Sequence, residues 1–169
     1  MLLAVLLVML GIAMRVIPHA PNFTPVAAIA LFGGVYLHKK HSFFVPLALM
    51  VASDLIIGMH NTIAFTWGSF ALIALIGYLM STKVTVGRIA GMSTASSVLF
   101  YVVSNFGVWA MGWYPPTFAG LVSCYINALP FLRDFTAATL VYSAVFFGAY
   151  ELISRRVRDT KFAPVFLKK

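Results

Sequence analysis

Charge is what this sequence has least of. Only 9% of its residues are Asp, Glu, Lys or Arg, and just four are acidic, whereas a soluble domain carries about 25% charged residues. With 62% hydrophobic residues and a mean hydropathy of +0.96, the chain is expected to be an integral membrane protein. Its single cysteine excludes an intrachain disulfide and a cysteine-only zinc site. There is no Gly-x-x-x-x-Gly-Lys-Ser/Thr phosphate loop, so no nucleotide hydrolysis of that type is expected. A nucleophile elbow and a His-Glu-x-x-His motif are also missing, as is any string of acids along the apolar segments such as a proton pump would use. Low-complexity tracts, long linkers and clear internal repeats are absent too. A net charge of +8 would suit nucleic acid, but the basic residues sit in short connections and a tail. Topology accounts for them, and no nucleic-acid partner is expected.

What remains is oily and divides into six apolar segments, at about 2–17, 25–37, 43–59, 62–80, 89–111 and 135–153. A span needs about 20 residues, so the 169 residues form one transmembrane domain with a basic cytoplasmic tail at 154–169. The first segment has no basic residue before it and no small-x-small cleavage site after it, so it reads as a span rather than a signal peptide. The second is short for a span and reads as a broken or heavily packed helix. Its Ala27, Ala28, Ala30, Gly33 and Gly34 would let another helix approach closely, as would Gly87, Gly91 and Ala95 in the fifth.

Basic residues orient the segments. With six spans, one side holds Lys39, Lys40, Lys83, Arg88, Arg155, Arg156, Arg158, Lys161, Lys168 and Lys169, and the other only Arg15 and Arg133. That asymmetry predicts a multi-pass protein of a bacterial cytoplasmic (inner) membrane, N-in and C-in. Three motif-bearing regions then fall together on the outer face: Pro18 to Pro25, Ser53 to Asn61, and Asn105 to Asp134.

The richest of these runs from Ser104 to Asp134. Trp and Tyr pair an apolar body with a polar tip and favour the membrane boundary. Pro115-Pro116 and Pro130 bracket a segment too short to cross a bilayer, expected to be a re-entrant or surface half-helix before the last span. Irregular backbone at membrane depth is tolerated only where it is buried in protein or lines a cavity. A binding site is therefore expected there, with the bracketing prolines as hinges of a lid. An aromatic belt with a kinked loop is the plainer alternative.

Asp54 is the sharpest single signal, because a carboxylate in an apolar span costs about 2.5–3.5 kcal/mol unless paired or wet. Arg15 and Arg133 are its candidate partners, and its role is either a ligand contact or a structural ion pair. Asp134, at the start of the last span, reads as a simple cap. His19 and His60 could join Asp54 and Cys124 around a metal, but no spacing resembles a metal-ligand motif, and no metal or cofactor is expected. Asn22, Asn105 and Asn127 suit a polar uncharged substrate, while Phe23, Phe106, Trp109, Trp113, Tyr114, Tyr125 and Phe131 offer flat surfaces for a ring. The expected substrate-binding set is Asn22, Phe23, Asp54, His60, Asn105, Trp109, Tyr114, Cys124, Tyr125 and Asn127, with no catalytic residues.

Four motifs carry a resemblance: Pro-His-x-Pro-Asn-Phe-Thr-Pro at Pro18 to Pro25, Ser-Asp-x-x-x-Gly-x-His at Ser53 to His60, Asn-Phe-x-Val-Trp at Asn105 to Trp109, and Gly-Leu-x-x-Cys-Tyr-x-x-Ala-x-Pro-Phe at Gly120 to Phe131. Across about 15–152 the chain resembles an uncharacterised family of small bacterial membrane proteins. That family is similar in size, topology and outward motifs to the substrate-binding S components of energy-coupling factor transporters. The resemblance implies an all-α, six-helix, S-component-like fold that captures a small, vitamin-like micronutrient for uptake without an ATPase of its own. The implied partners are the substrate, membrane lipid, a transmembrane coupling protein and cytoplasmic ATPases, engaged through small-residue faces such as Ala27 to Ala30. Solitary cobalamin transporters of that wider group place a cysteine on the cobalt, which invites comparison with Cys124. Two other classes stay open on the residues alone: a small membrane enzyme with an outward-facing site, and a ligand-free scaffold subunit.

Overall fold

The computed structural model describes residues 2–18, 20–80 and 84–157. These form helices α1 (Leu2–Val16), α2 (Val26–Tyr36), α3 (Lys39–Ile57), α4 (Ile63–Met80), α5 (Val86–Ala110), α6 (Phe118–Asn127) and α7 (Leu129–Val157). Four of them, α3, α4, α5 and α7, are long and apolar enough to cross a membrane, and the all-helical architecture is that of a membrane-embedded protein. Their outward faces carry residues such as Leu55, Leu79, Val102 and Val145, which are exposed and suit a lipid surround.

The molecule is built around α2. Every residue from Val26 to Val35 is buried, so this helix has no lipid-facing side, and it packs against α3, α4 and α7. It touches α4 almost backbone to backbone: a Cβ on Gly34 would fall 2.3 Å from the Ala74 carbonyl oxygen, and one on Gly77 would fall 2.2 Å from that of Leu31. In lipid, where apolar contact alone does not drive helices together, such close packing is what holds a bundle. Phe32 and Tyr36 add an aromatic knot with Phe147 and Tyr150, including a Tyr36–Tyr150 ring contact at 3.9 Å. The expectation of a heavily packed second helix is met. The expectation that Ala27 to Ala30 offers a face to another protein is not, because Ala27, Ala28 and Ala30 are fully buried inside this chain.

With 11 residues, α2 is about 16 Å long, roughly half the thickness of a hydrocarbon core. The connection before it makes up the difference by dipping inward. Pro25 is fully buried, and Phe23 packs on Tyr142 with ring centroids 5.9 Å apart, a contact about 20 Å along the axis of α7 from its start. Irregular backbone thus runs inward at Phe23 to Pro25, just before α2, in addition to the segment before α7 to which the sequence pointed.

That segment is a short helix, as expected, but its boundaries differ. Pro130 is the second residue of α7, where the missing N–H has no helical partner to lose. It extends the last helix toward α6, with only Ala128 between them, so it lies inside a helix and not in a loop that bounds the segment. Asp134 accordingly sits inside α7, paired with its neighbour Arg133 at 2.9 Å, and is not a cap. On α6, Gly120 and Cys124 face inward, while Phe118, Val122 and Ile126 are exposed. That split suits a helix lying at a membrane boundary.

Chain direction alternates through the bundle, so the 17–25 connection, the α3–α4 turn, α6 and the start of α7 meet at one end. Lys39, Lys40, Arg88, Arg155 and Arg156 fall toward the other end, in α3, α5 and α7. Lys83, Arg158, Lys161, Lys168 and Lys169 lie outside the described residues, as does His19.

Candidate functional site

Two polar centres occupy the motif-bearing end. The first is built on Asp54, which is 1% exposed in the last turn of α3. Arg15 of α1 reaches it with Nη2 at 2.8 Å from Oδ1 and donates Nη1 to the Ser53 hydroxyl at 2.6 Å. Trp67 of α4 donates Nε1 to Oδ2 at 2.8 Å. The carboxylate thus ties three helices together, and Arg15, not Arg133, is its partner. Arg133 pairs with Asp134 instead. Gly58 then ends α3 at φ 122°, a region that side-chain-bearing residues avoid. Two residues later His60 lies with Nε2 3.8 Å from Asp54, beyond hydrogen-bond distance, and with Nδ1 2.8 Å from the Thr62 hydroxyl.

The second centre is a cavity of about 530 Å³ bounded by α5, α6 and the start of α7, with three connections, carrying Asn22, His60 and Trp113, contributing to its lining. Pockets of about 300–1,000 Å³ hold small molecules. Four asparagines line it, Asn22, Asn61, Asn105 and Asn127, together with His60. Its described lining contains no Lys, Arg, Asp or Glu. Asn22 is held at φ 60°, a left-handed conformation in which Asn is enriched, and this turn carries the inward-dipping connection to the cavity. Aromatic walls come from Phe100, Tyr101, Trp113, Tyr114, Phe131 and Phe135. Phe100 stacks on Phe135 at 4.5 Å and 21°.

The cavity wall is tied together by bonds that leave the amides with capacity. Asn105 donates Nδ2 to the Tyr101 carbonyl at 2.8 Å, and Asn127 donates Nδ2 to the Tyr114 hydroxyl at 3.3 Å. Trp113 donates Nε1 to the side-chain oxygen of Asn61 at 3.3 Å. Each amide has further donors or acceptors beyond that bond. Short bonds fasten α6 to α5: the Tyr101 hydroxyl donates to the Tyr125 carbonyl at 2.6 Å, and the Tyr125 hydroxyl to the Val102 carbonyl at 2.7 Å. The Cys124 thiol donates to the Asn105 carbonyl at 3.4 Å. Burial pushes that thiol up from its ordinary value, with a bond from the Trp109 backbone pulling weakly the other way. Cys124 is therefore a neutral thiol near pH 7, not an activated nucleophile.

Of the residues expected to bind substrate, Asn22, His60, Asn105, Tyr114, Cys124 and Asn127 converge on the cavity. Asp54 stands behind His60, closed in by its own partners. Phe23 packs on Tyr142, Trp109 donates Nε1 to the Pro115 carbonyl at 3.0 Å, and Tyr125 serves as a strap. Those three are outside the lining. Sequence reasoning missed Ser97, Phe100 and Tyr101 on α5 and Leu132 and Phe135 on α7. The signal was helical spacing: stepping back from Asn105 by four and eight residues reaches Tyr101 and Ser97. Among the described residues no group of three His, Cys, Asp or Glu could hold a metal ion.

A family of unknown function (DUF6580) matches residues 1–162, nearly the whole chain, and the chain belongs to it. No curated protein and no solved structure matches the chain.

Proposed function

We propose that this member of the family is a substrate-binding membrane component that captures a small, uncharged, ring-containing micronutrient for uptake, in the cavity between α5, α6 and α7. The observation that carries this reading is the cavity's lining, amides and aromatics without a charged pair. An ionised ligand there would be desolvated with no counter-charge, at a cost of several kcal/mol. A neutral ring bearing amide-like groups would instead stack on the aromatic walls and bond to Asn105 and Asn127. In this reading α1 to α5 and α7 are the six spans, with α6 as the surface half-helix. The cavity opens to the outside, which the basic residues toward the opposite end support. No ATPase motif is present, so energy for accumulation would come from a coupling protein with ATPases, docked elsewhere than Ala27 to Ala30.

The test is extraction of small molecules from detergent-purified protein, identified by mass spectrometry. A neutral, ring-bearing compound of a few hundred daltons at near-stoichiometric yield is the expected result. A charged metabolite, or a protein that carries no small molecule from any growth medium, would remove the reading.

A further inference from the structure

A second cavity, of about 600 Å³, lies at the other end of the same pair of helices. Val86, Ile89 and Ala90 of α5 and Leu140, Ala144 and Gly148 of α7 line it, and the Glu151–Arg155 pair, at 2.8 Å, stands on its rim. Glu151 is 52% and Arg155 70% exposed, and exposed charges of this kind mark a watery mouth. Two cavities thus open at opposite ends of one seam between two membrane-length helices.

What separates them is thin. On α5 the first cavity ends at Ser97 and the second begins at Ala90; on α7 the corresponding residues are Phe135 and Leu140. At 1.5 Å per residue these gaps are about 10 Å and about 8 Å, against a hydrocarbon core of about 30 Å. Small polar side chains fill and flank this gap: Ser93 lies within it on α5 and Thr139 on α7, while Ser143 lies just past Leu140, beside the second cavity. Ser93 donates its hydroxyl to that of Ser143 at 3.0 Å across the seam. Ser97 bonds back to the Ser93 carbonyl and Thr139 to that of Phe135. Ser96 is fully buried in the same turns, and among the described residues its hydroxyl has no hydrogen-bond partner. The Phe100–Phe135 stack forms the floor of the first cavity above this gap.

We infer that the α5–α7 seam is the path along which the captured solute crosses the membrane, its two cavities being the two mouths and the Ser93–Ser143 contact, at the inner edge of the second, the closed gate. The inference rests on the capture reading and extends it: the chain conducts its own substrate rather than only presenting it. Parting the helices at this point breaks the Ser93–Ser143 bond and exposes hydroxyls that a neutral polar solute can use in its place. Ser93, Ser96 and Ser143 present little bulk to move. The Phe100–Phe135 stack has to swing aside. An ordinary helix contact glued by serines would give the same spacing but stay shut.

Cysteine accessibility distinguishes the two. In the full chain carrying Cys124→Ser, reconstituted in sealed vesicles, Ser97→Cys, Ser93→Cys and Ala144→Cys are each treated with a membrane-impermeant methanethiosulfonate from one side and then the other. The path predicts loss of the free thiol at Ser97→Cys from the motif-bearing side alone and at Ala144→Cys from the opposite side alone. At Ser93→Cys it predicts loss from both sides, more slowly than at either flank. A folded Ser93→Cys protein that keeps its thiol from either side, while both flanking sites react, overturns the path and leaves capture standing. Failure of Ser97→Cys to react from the motif-bearing side removes the capture reading itself. Folding is checked by the elution profile and melting of each unlabelled variant. A second measurement oxidises Ser93→Cys/Ser143→Cys: the cross-link should protect neither flank but abolish crossing of the co-purified compound, and unchanged crossing overturns the gate.

Discussion

The two polar centres at the motif-bearing end are about equally conspicuous in the sequence and opposite in design. Around Asp54 both carboxylate oxygens are taken, by Arg15 and by Trp67, and the residue itself is 1% exposed. Around Asn105 and Asn127 the side chains face a cavity of about 530 Å³ with bonding capacity left over. The first closes on itself and fixes where α1, α3 and α4 stand. The second is held open by straps that α5 and α6 make elsewhere. A polar residue in a membrane protein is thus informative only once its partners are known, because a costly charge and a ligand contact look alike in an apolar run.

The largest expected effect comes from breaking the closed centre. Arg15→Ala strands a buried carboxylate, and removing one member of such a pair costs about 3–5 kcal/mol. The melting temperature in detergent should fall sharply, while protein that remains folded keeps its small molecule. Removing both partners in Arg15→Met/Asp54→Leu should recover most of that loss, since apolar replacements of a buried pair are often close to neutral. A double variant as unstable as the single one would show that Ser53 and Trp67 depend on the charge.

Smaller effects should appear at the cavity, and in binding rather than in melting. Asn127→Ala removes an amide that contributes little to packing, so affinity for the co-purified compound should drop by about 1–3 kcal/mol, read by isothermal titration, with the melting of the empty protein unchanged. Trp113→Ala and Trp109→Ala form a sharper pair. The first removes a cavity wall and should weaken binding by about 1 kcal/mol, while the second removes a tie to Pro115 outside the lining and should leave affinity intact. Equal losses in the two would place the ring site at the aromatic boundary and not in the cavity. The smallest effect is at Cys124. Its thiol is raised above the ordinary value of 9.0, so maleimide labelling should be slow near pH 7 and its rate should still be climbing above pH 9.0.

Much of this arrangement is legible in the sequence. Low charge, the six apolar segments and the spacing of the motifs placed the longer helices, though α7 begins six residues before the expected 135, and gathered the unusual side chains at one end. Asn22, His60, Asn105 and Asn127 could be found because an amide or imidazole in an oily stretch stands out. The cavity walls could not, because Phe100, Leu132 and Phe135 are ordinary membrane residues until the packing of α5 against α7 decides which side they show. Composition also cannot tell a central helix from a peripheral one, so the small residues of α2 read as a surface for a partner when they are an inner contact with α4. Pro130 misled for a related reason: a proline breaks a helix in its middle and is welcome in its first turn, and the sequence does not say where the turn begins.

The central claim is that the open centre, not the closed one, holds the ligand. Native mass spectrometry of three proteins purified side by side tests it: the natural chain, Arg15→Met/Asp54→Leu, and Asn105→Leu/Asn127→Leu. The account predicts the same added mass on the natural chain and on the first variant, and its loss from the second. An added mass that disappears with Arg15 and Asp54 and survives without the two asparagines would contradict it.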